Sequence, residues 1–207
     1  MGRGVANLIS IVFHPLLLAT YLFSAFIIID PMLALPPGYT KVAQWLIVLV
    51  VWLTTFAIPA LSLALLKFTG NISSLKLQNR KERLLPFFYI TIFYGFTAYY
   101  FTRQMLVTEL TSGIFILTAS MILTAAIITF FWKISVHSLS IGGVVGILFA
   151  ITTMMPESPV NNLFFAVILI SGLVLSARLK LQAHTPAQVY MGFVLGLFVS
   201  FMIIFWF

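Results

Sequence analysis

Seven apolar runs separated by short polar breaks set the plan of this chain. They cover about 5–29, 43–66, 86–102 and 112–132, a fifth between the break at 133–138 and Pro156, then 163–177 and 187–207. None alternates in character as a lipid-facing strand would, and an open sheet edge has no partner in hydrocarbon. The pattern therefore predicts an all-α polytopic membrane bundle of about six to seven transmembrane helices, built as a single domain over 1–207. The third, fifth and sixth runs are short for a hydrocarbon core of about 30 Å, so one of them is open to being tilted, partial or absent. The first run, which contains His14-Pro15, is too long for a signal-peptide core and no small-residue cleavage pattern follows it, so it is expected as a retained span.

The breaks carry less pattern. The longest, 67–85, is expected as a loop or an interfacial helix, with Pro86 in the first turn of the third span, where a missing N–H costs nothing. Gly192 with Gly196, and Gly172 with Ser176, have the small-xxx-small spacing that lets helices approach closely in lipid. No internal repeat is evident.

Composition narrows the class. A mean hydropathy of +1.15 with 62% hydrophobic and 7% charged residues excludes a disordered chain and an ordinary soluble domain. Zero cysteines exclude disulfides and thiolate metal sites, and three histidines with four carboxylates argue against a multi-ligand metal centre. Neither metal nor cofactor is expected. A net charge of +7 would point to nucleic acid in a soluble protein, but in a membrane protein basic loops mark the cytoplasmic side, so no nucleic-acid partner is expected.

Counting crossings sharpens that point. The N-terminus, 67–85, 133–138 and 178–186 fall on one side, and the loops near 30–42, 103–111 and 156–162 with the C-terminus on the other. Nine bases (Arg3, Lys67, Lys76, Arg80, Lys81, Arg83, Lys133, Arg178, Lys180) then oppose two (Lys41, Arg103), which places the first side in the cytoplasm. Setting aside Lys76, Arg83 and Arg178 as possible anion ligands leaves six against two. Polar segments rich in bases and histidines thus converge on one membrane face. Such a face suits an anionic headgroup while the spans hold its tail, so the expected partners are a phosphorylated lipid and membrane lipids.

The chemistry gathers in 176–189. Arg178 and His184 have the spacing R-x5-H, with Gln188-Val189 four residues on; Ser135-Val136-His137 lies upstream, and Lys76 and Arg83 stand further upstream at K-x6-R. In order, these segments resemble the signature of the type 2 phosphatidic acid phosphatase superfamily: K-x6-R-P, then P-S-G-H, then S-R-x5-H-x3-D-V. From about 134 to 207 the chain is also similar to small members of that superfamily found in Bacteroidota, in which KIS-x-H, AR and AHTPAQV recur. The resemblance implies an inner-membrane lipid phosphatase acting without metal on a phosphatidate, a phosphatidylglycerophosphate or a prenyl pyrophosphate. It implies further that His184 attacks phosphorus, that His137 protonates the leaving oxygen and then activates water, that Arg178, Arg83 and Lys76 clamp the phosphate, and that Ser135 donates one more hydrogen bond. Phosphoryl transfer requires those group types: a cationic cradle, an in-line nucleophile and an acid.

This chain departs from that signature at several places. Gln188 stands where the superfamily has the aspartate that orients the nucleophile, Val136 where it has glycine, and Leu84 and Leu85 precede Pro86. Two spans also separate the first motif from the second. The departures leave a second expectation, a catalytically impaired relative that binds or moves a phosphorylated lipid. Of the four acids only Glu82 falls on the site's side, as a replacement carboxylate or as an offset to Arg80, Lys81 and Arg83. Taken singly, Arg178 and Lys180 also read as bases snorkelling from a helix end, and Thr185-Pro186 as the start of the last helix. His14 either lines the pocket or bonds a neighbouring helix.

Overall fold

The computed structural model describes residues 1–75, 77 and 79–206. Among these the chain is helical throughout, with ten α-helices: α1 (Arg3–Val12), α2 (Pro15–Ile29), α3 (Pro31–Ala34), α4 (Lys41–Trp52), α5 (Ile58–Phe68), α6 (Leu84–Arg103), α7 (Glu109–Phe131), α8 (Val136–Met154), α9 (Asn161–Lys180) and α10 (Pro186–Trp206). A π-helical turn, Leu53–Ala57, fuses α4 and α5 into one span, and a 3-10 turn, Lys81–Arg83, leads into α6. Six helices are long and apolar enough to cross a membrane, and α1 with α2 makes a seventh if that bent pair is one span. The all-α membrane bundle expected from the apolar runs is therefore what forms.

The runs expected to be short are full length. Helices α6, α8 and α9 have 20, 19 and 20 residues, each about 30 Å long at 1.5 Å per residue. Their ends carry polar or charged residues, such as Arg103 and Arg178, that an apolar run leaves out. The first span differs the other way, because it is not continuous. α1 and α2 are bent by 59° at Phe13 and His14. Pro15 causes the break: it disfavours the helical conformation at the residue before it, and His14 is accordingly extended at φ −66°, ψ 136°. His14 then caps α2, its Nδ1 accepting from Leu16 N–H at 3.3 Å.

A second proline shapes the α4–α5 span. Pro59 has no N–H to give to the Thr55 carbonyl, and the hydroxyl of Tyr94 on α6 donates to that oxygen at 3.0 Å instead. Thr55 Oγ1 also lies 3.2 Å from Thr20 Oγ1 on α2. One buried polar knot thus joins α2, the π turn and α6.

The tightest packing is between α8 and α10. A Cβ at Gly142 would overlap the Phe193 carbonyl, one at Gly146 the Leu197 carbonyl, and one at Gly196 the Leu139 carbonyl. Backbone meets backbone along this seam, as the Gly192–Gly196 spacing predicts. Gly172 behaves otherwise, with open space where its Cβ would be, so the Gly172–Ser176 pair makes no such contact.

Candidate functional site

Four chain segments meet at one end of the bundle, and backbone hydrogen bonds hold them there. The amide of Ser135, just before α8, donates to the Gln188 carbonyl on α10 at 3.3 Å. Arg83, at the start of α6, donates through Nη1 to the Ile134 carbonyl at 3.1 Å and through Nε to the Leu77 carbonyl at 2.8 Å. From the opposite side, Ser10 of α1 accepts from Arg178 Nη1 at 3.2 Å through its hydroxyl and lies 3.0 Å from His137 Nε2 through its carbonyl.

The α6–α7 hairpin explains how the first and second motif segments meet across two intervening spans. It leaves this face at Leu84 and returns at Phe131, so Arg83 bonds a carbonyl 51 residues away. Separation in sequence did not become separation in space.

His184 sits in the turn between α9 and α10 and is 9% exposed. Gln182, at φ 52°, ends α9 in the left-handed conformation, and Thr185 and Gln188 then form a reciprocal cap at the start of α10. Gln188 N–H donates to Thr185 Oγ1 at 3.4 Å, and Thr185 N–H donates to Gln188 Oε1 at 3.3 Å. The second bond decides the amide's orientation, because a backbone N–H can only donate. His184 Nδ1, 3.1 Å from the same oxygen, must therefore carry the proton in the neutral ring. Nε2 is left with a free lone pair.

The surroundings are cationic. Arg83 and Arg178 lie close enough to repel one another, and both act on Lys133 and on His184. Burial first, then Arg83, holds the His184 imidazole down to about 3, with Arg178 and Lys133 adding to the effect and the Gln188 bond opposing it. Burial, then Arg83 and Arg178, also lowers the Lys133 ammonium from its ordinary range. Arg178 Nε is buried without a hydrogen-bond partner. The N-termini of α2, α6, α8 and α10 gather at this face as well, each the positive end of a helix dipole. Such a cluster is organised for an anion.

His184, Arg178, His137, Arg83, Ser135 and Gln188 are thus brought together, whereas Lys76 lies outside the described residues. Ser135 is fully buried and caps α8: its Oγ accepts from Ser138 N–H at 3.4 Å and lies 2.9 Å from Ser138 Oγ. Val136 is the first residue of α8 and has no positive φ, so the backbone there does not require glycine. Glu82 is not the missing carboxylate. Its oxygens accept from Ser73 N–H at 3.0 Å and from the Ser73 hydroxyl, and reach Asn79 at 3.4 Å, which binds the 69–80 loop to the start of α6.

Three members of the cluster carried weaker signals. Lys133 is adjacent to the Ile134-Ser135 segment but read only as a loop base. His14, whose ring meets that of His137 edge-on at 5.5 Å, lies inside an apolar run. Ser10 had no signal at all. A groove of about 380 Å³ between α6 and α7, lined by Gly95, Tyr99, Thr102, Arg103 and Ala119 toward the opposite end, includes none of the cluster.

Comparison with known proteins identifies no relative. No family model, curated protein or solved structure matches the chain.

Proposed function

We propose that this chain is an integral membrane lipid phosphatase that cleaves a phosphomonoester or pyrophosphate of a lipid through a phosphohistidine at His184. The observation that carries this reading is the Gln188 oxygen shared by Thr185 N–H and His184 Nδ1, which leaves a bare Nε2 beside three cations. Held neutral by burial and by Arg83, His184 keeps its nucleophilic form at any ordinary pH.

The Nε2 lone pair forms the N–P bond as the bond from phosphorus to the leaving oxygen breaks, and Arg178, Arg83 and Lys133 hold the charge on the equatorial oxygens. His137, whose Nε2–H is held by the Ser10 carbonyl until ligand arrives, takes a proton from the bound phosphate monoanion and gives it to the departing oxygen. Neutral His137 then takes a proton from water, whose oxygen displaces His184 and releases phosphate. The nine-to-two division of bases and the resemblance in 134–207 support a bacterial inner membrane with the site on its cytoplasmic face.

A second reading has its own observation. No carboxylate takes the place of the superfamily's aspartate at His184: the amide Gln188 is there, and Glu82 is held by Ser73. A phosphorylated imidazole then lacks a counter-charge, which suits a protein that binds or moves a phosphorylated lipid. Phosphate release from phosphatidate and from undecaprenyl pyrophosphate, without added metal, separates the two. Release by wild type that is lost in His184→Ala supports the phosphatase. Equal background from both proteins, with lipid still bound, supports the carrier.

A further inference from the structure

Helix α1 is unlike the others. It is ten residues long, it breaks away from α2 at 59°, and its two faces are reversed for a soluble environment. Val5, Leu8, Ile11 and Val12 are exposed at 53%, 60%, 67% and 41%, while Ser10 faces inward at 8%. Those apolar positions share one side of the helix, and nothing among the described residues covers them. Inward, Ser10 occupies both groups that a phosphorylated ligand needs: its hydroxyl accepts from Arg178 Nη1 and its carbonyl from His137 Nε2–H. Arg178 Nε is meanwhile buried with no hydrogen-bond partner among the described residues, so the guanidinium is only partly satisfied by α1.

We infer that α1 is an interfacial lid: its outer face is seated in the lipid leaflet on the site's side, and Ser10 closes the site until a phosphorylated lipid from that leaflet displaces it. The surrounding leaflet is the natural occupant of the outer face, because the adjoining spans already require a bilayer, and a short helix with apolar residues on one side lies in its interface. The hinge is the break itself. Phe13 and His14 are non-helical, and α2 keeps its own cap through His14 Nδ1 and Leu16 N–H, so α1 can swing without unwinding α2. Displacing Ser10 frees Nη1 while Nε stays unpaired among the described residues, which leaves the guanidinium open donors on two of its edges for a phosphate.

The inference rests on the reading of this site as one for a phosphorylated lipid, and the direction of one substitution separates the two. Ser10→Ala removes the hydroxyl that competes for Arg178 while keeping the carbonyl and the helix. Its affinity for phosphatidate in phosphatidylcholine nanodiscs should be about fivefold tighter than wild type, the size of one hydrogen bond's net worth. Equal binding by both proteins overturns the lid and leaves the site intact. Weaker binding by Ser10→Ala overturns it too, by making Ser10 a ligand contact. Binding by neither protein overturns the phosphorylated-lipid reading and the lid with it. The seat in the leaflet is read separately, since the chain has no cysteine to interfere: bimane on Leu8→Cys should be quenched by lipids brominated near the headgroup, and an unquenched label contradicts the lid.

Discussion

The side-chain oxygen of Gln188 stands 3.1 Å from His184 Nδ1 while accepting the Thr185 amide, so a helix cap and the tautomer of a buried histidine depend on one atom. Gln188→Glu preserves both bonds and adds a charge to the imidazole's partner. Turnover should rise, by at least roughly tenfold, given that the carboxylate-to-amide change in a serine-protease triad costs about 10⁴. Gln188→Leu removes the cap and the orienting acceptor together, and should lower turnover and also thermal stability, by about 1 kcal/mol for the cap. Steady-state phosphate release and thermal melts of the three proteins test this.

The same histidine gives stability a pH dependence of definite sign. Its folded value, about 3, lies below the ordinary 6.5, so the unfolded chain takes up the proton first as pH falls. The contribution of His184 is fully present above about 6.5 and is lost progressively as pH falls from there toward 3. The melting temperature of the ligand-free protein should therefore drop between pH 7 and pH 5. In His184→Asn that drop should be smaller.

Gly196→Ala tests the seam that brings His137 and His184 together. The added methyl would overlap the Leu139 carbonyl, which is backbone and cannot swing aside. The expected cost is about 1–3 kcal/mol or more, with loss of ligand binding as α8 and α10 separate. Gly172→Ala is the control: its Cβ meets nothing, and alanine is the better helix former, so stability should hold or rise by up to about 1 kcal/mol.

Tyr94→Phe should cost about 1–3 kcal/mol, because it strands the Thr55 carbonyl that Pro59 cannot serve. Replacing Pro59 by alanine in the same chain should recover part of the loss, since it restores the N–H. Denaturation of the single and double variants in one detergent measures that coupling.

The bundle was legible because hydrophobic length is a strong and local signal. The pairing of Arg178 with His184 was legible for a similar reason: Arg178 lies in the last turn of α9 and His184 in the connection that follows, so the two stay close in sequence and in space. Span ends were read short, since residues such as Leu84, Arg103 and Arg178 continue a helix after its hydrophobicity has stopped. The bend at His14-Pro15 was written in the dipeptide, yet the apolar run around it masked the break. Thr185-x-x-Gln188 is a capping-box pattern, a local signal that the position of Gln188 in the superfamily signature obscures. Contacts such as Ser10 with Arg178 span 168 residues and depend on how α1 folds back, which no local pattern records.

The central claim is that His184 becomes phosphorylated. The most direct measurement is a rapid acid-free quench of the protein with phosphatidate labelled in its phosphate, followed by mapping of the label. Wild type should carry label that survives alkali, is lost in mild acid, maps to His184 and is absent from His184→Ala. Label that is absent while phosphate is released from phosphatidate, or label found on any other residue, would contradict it.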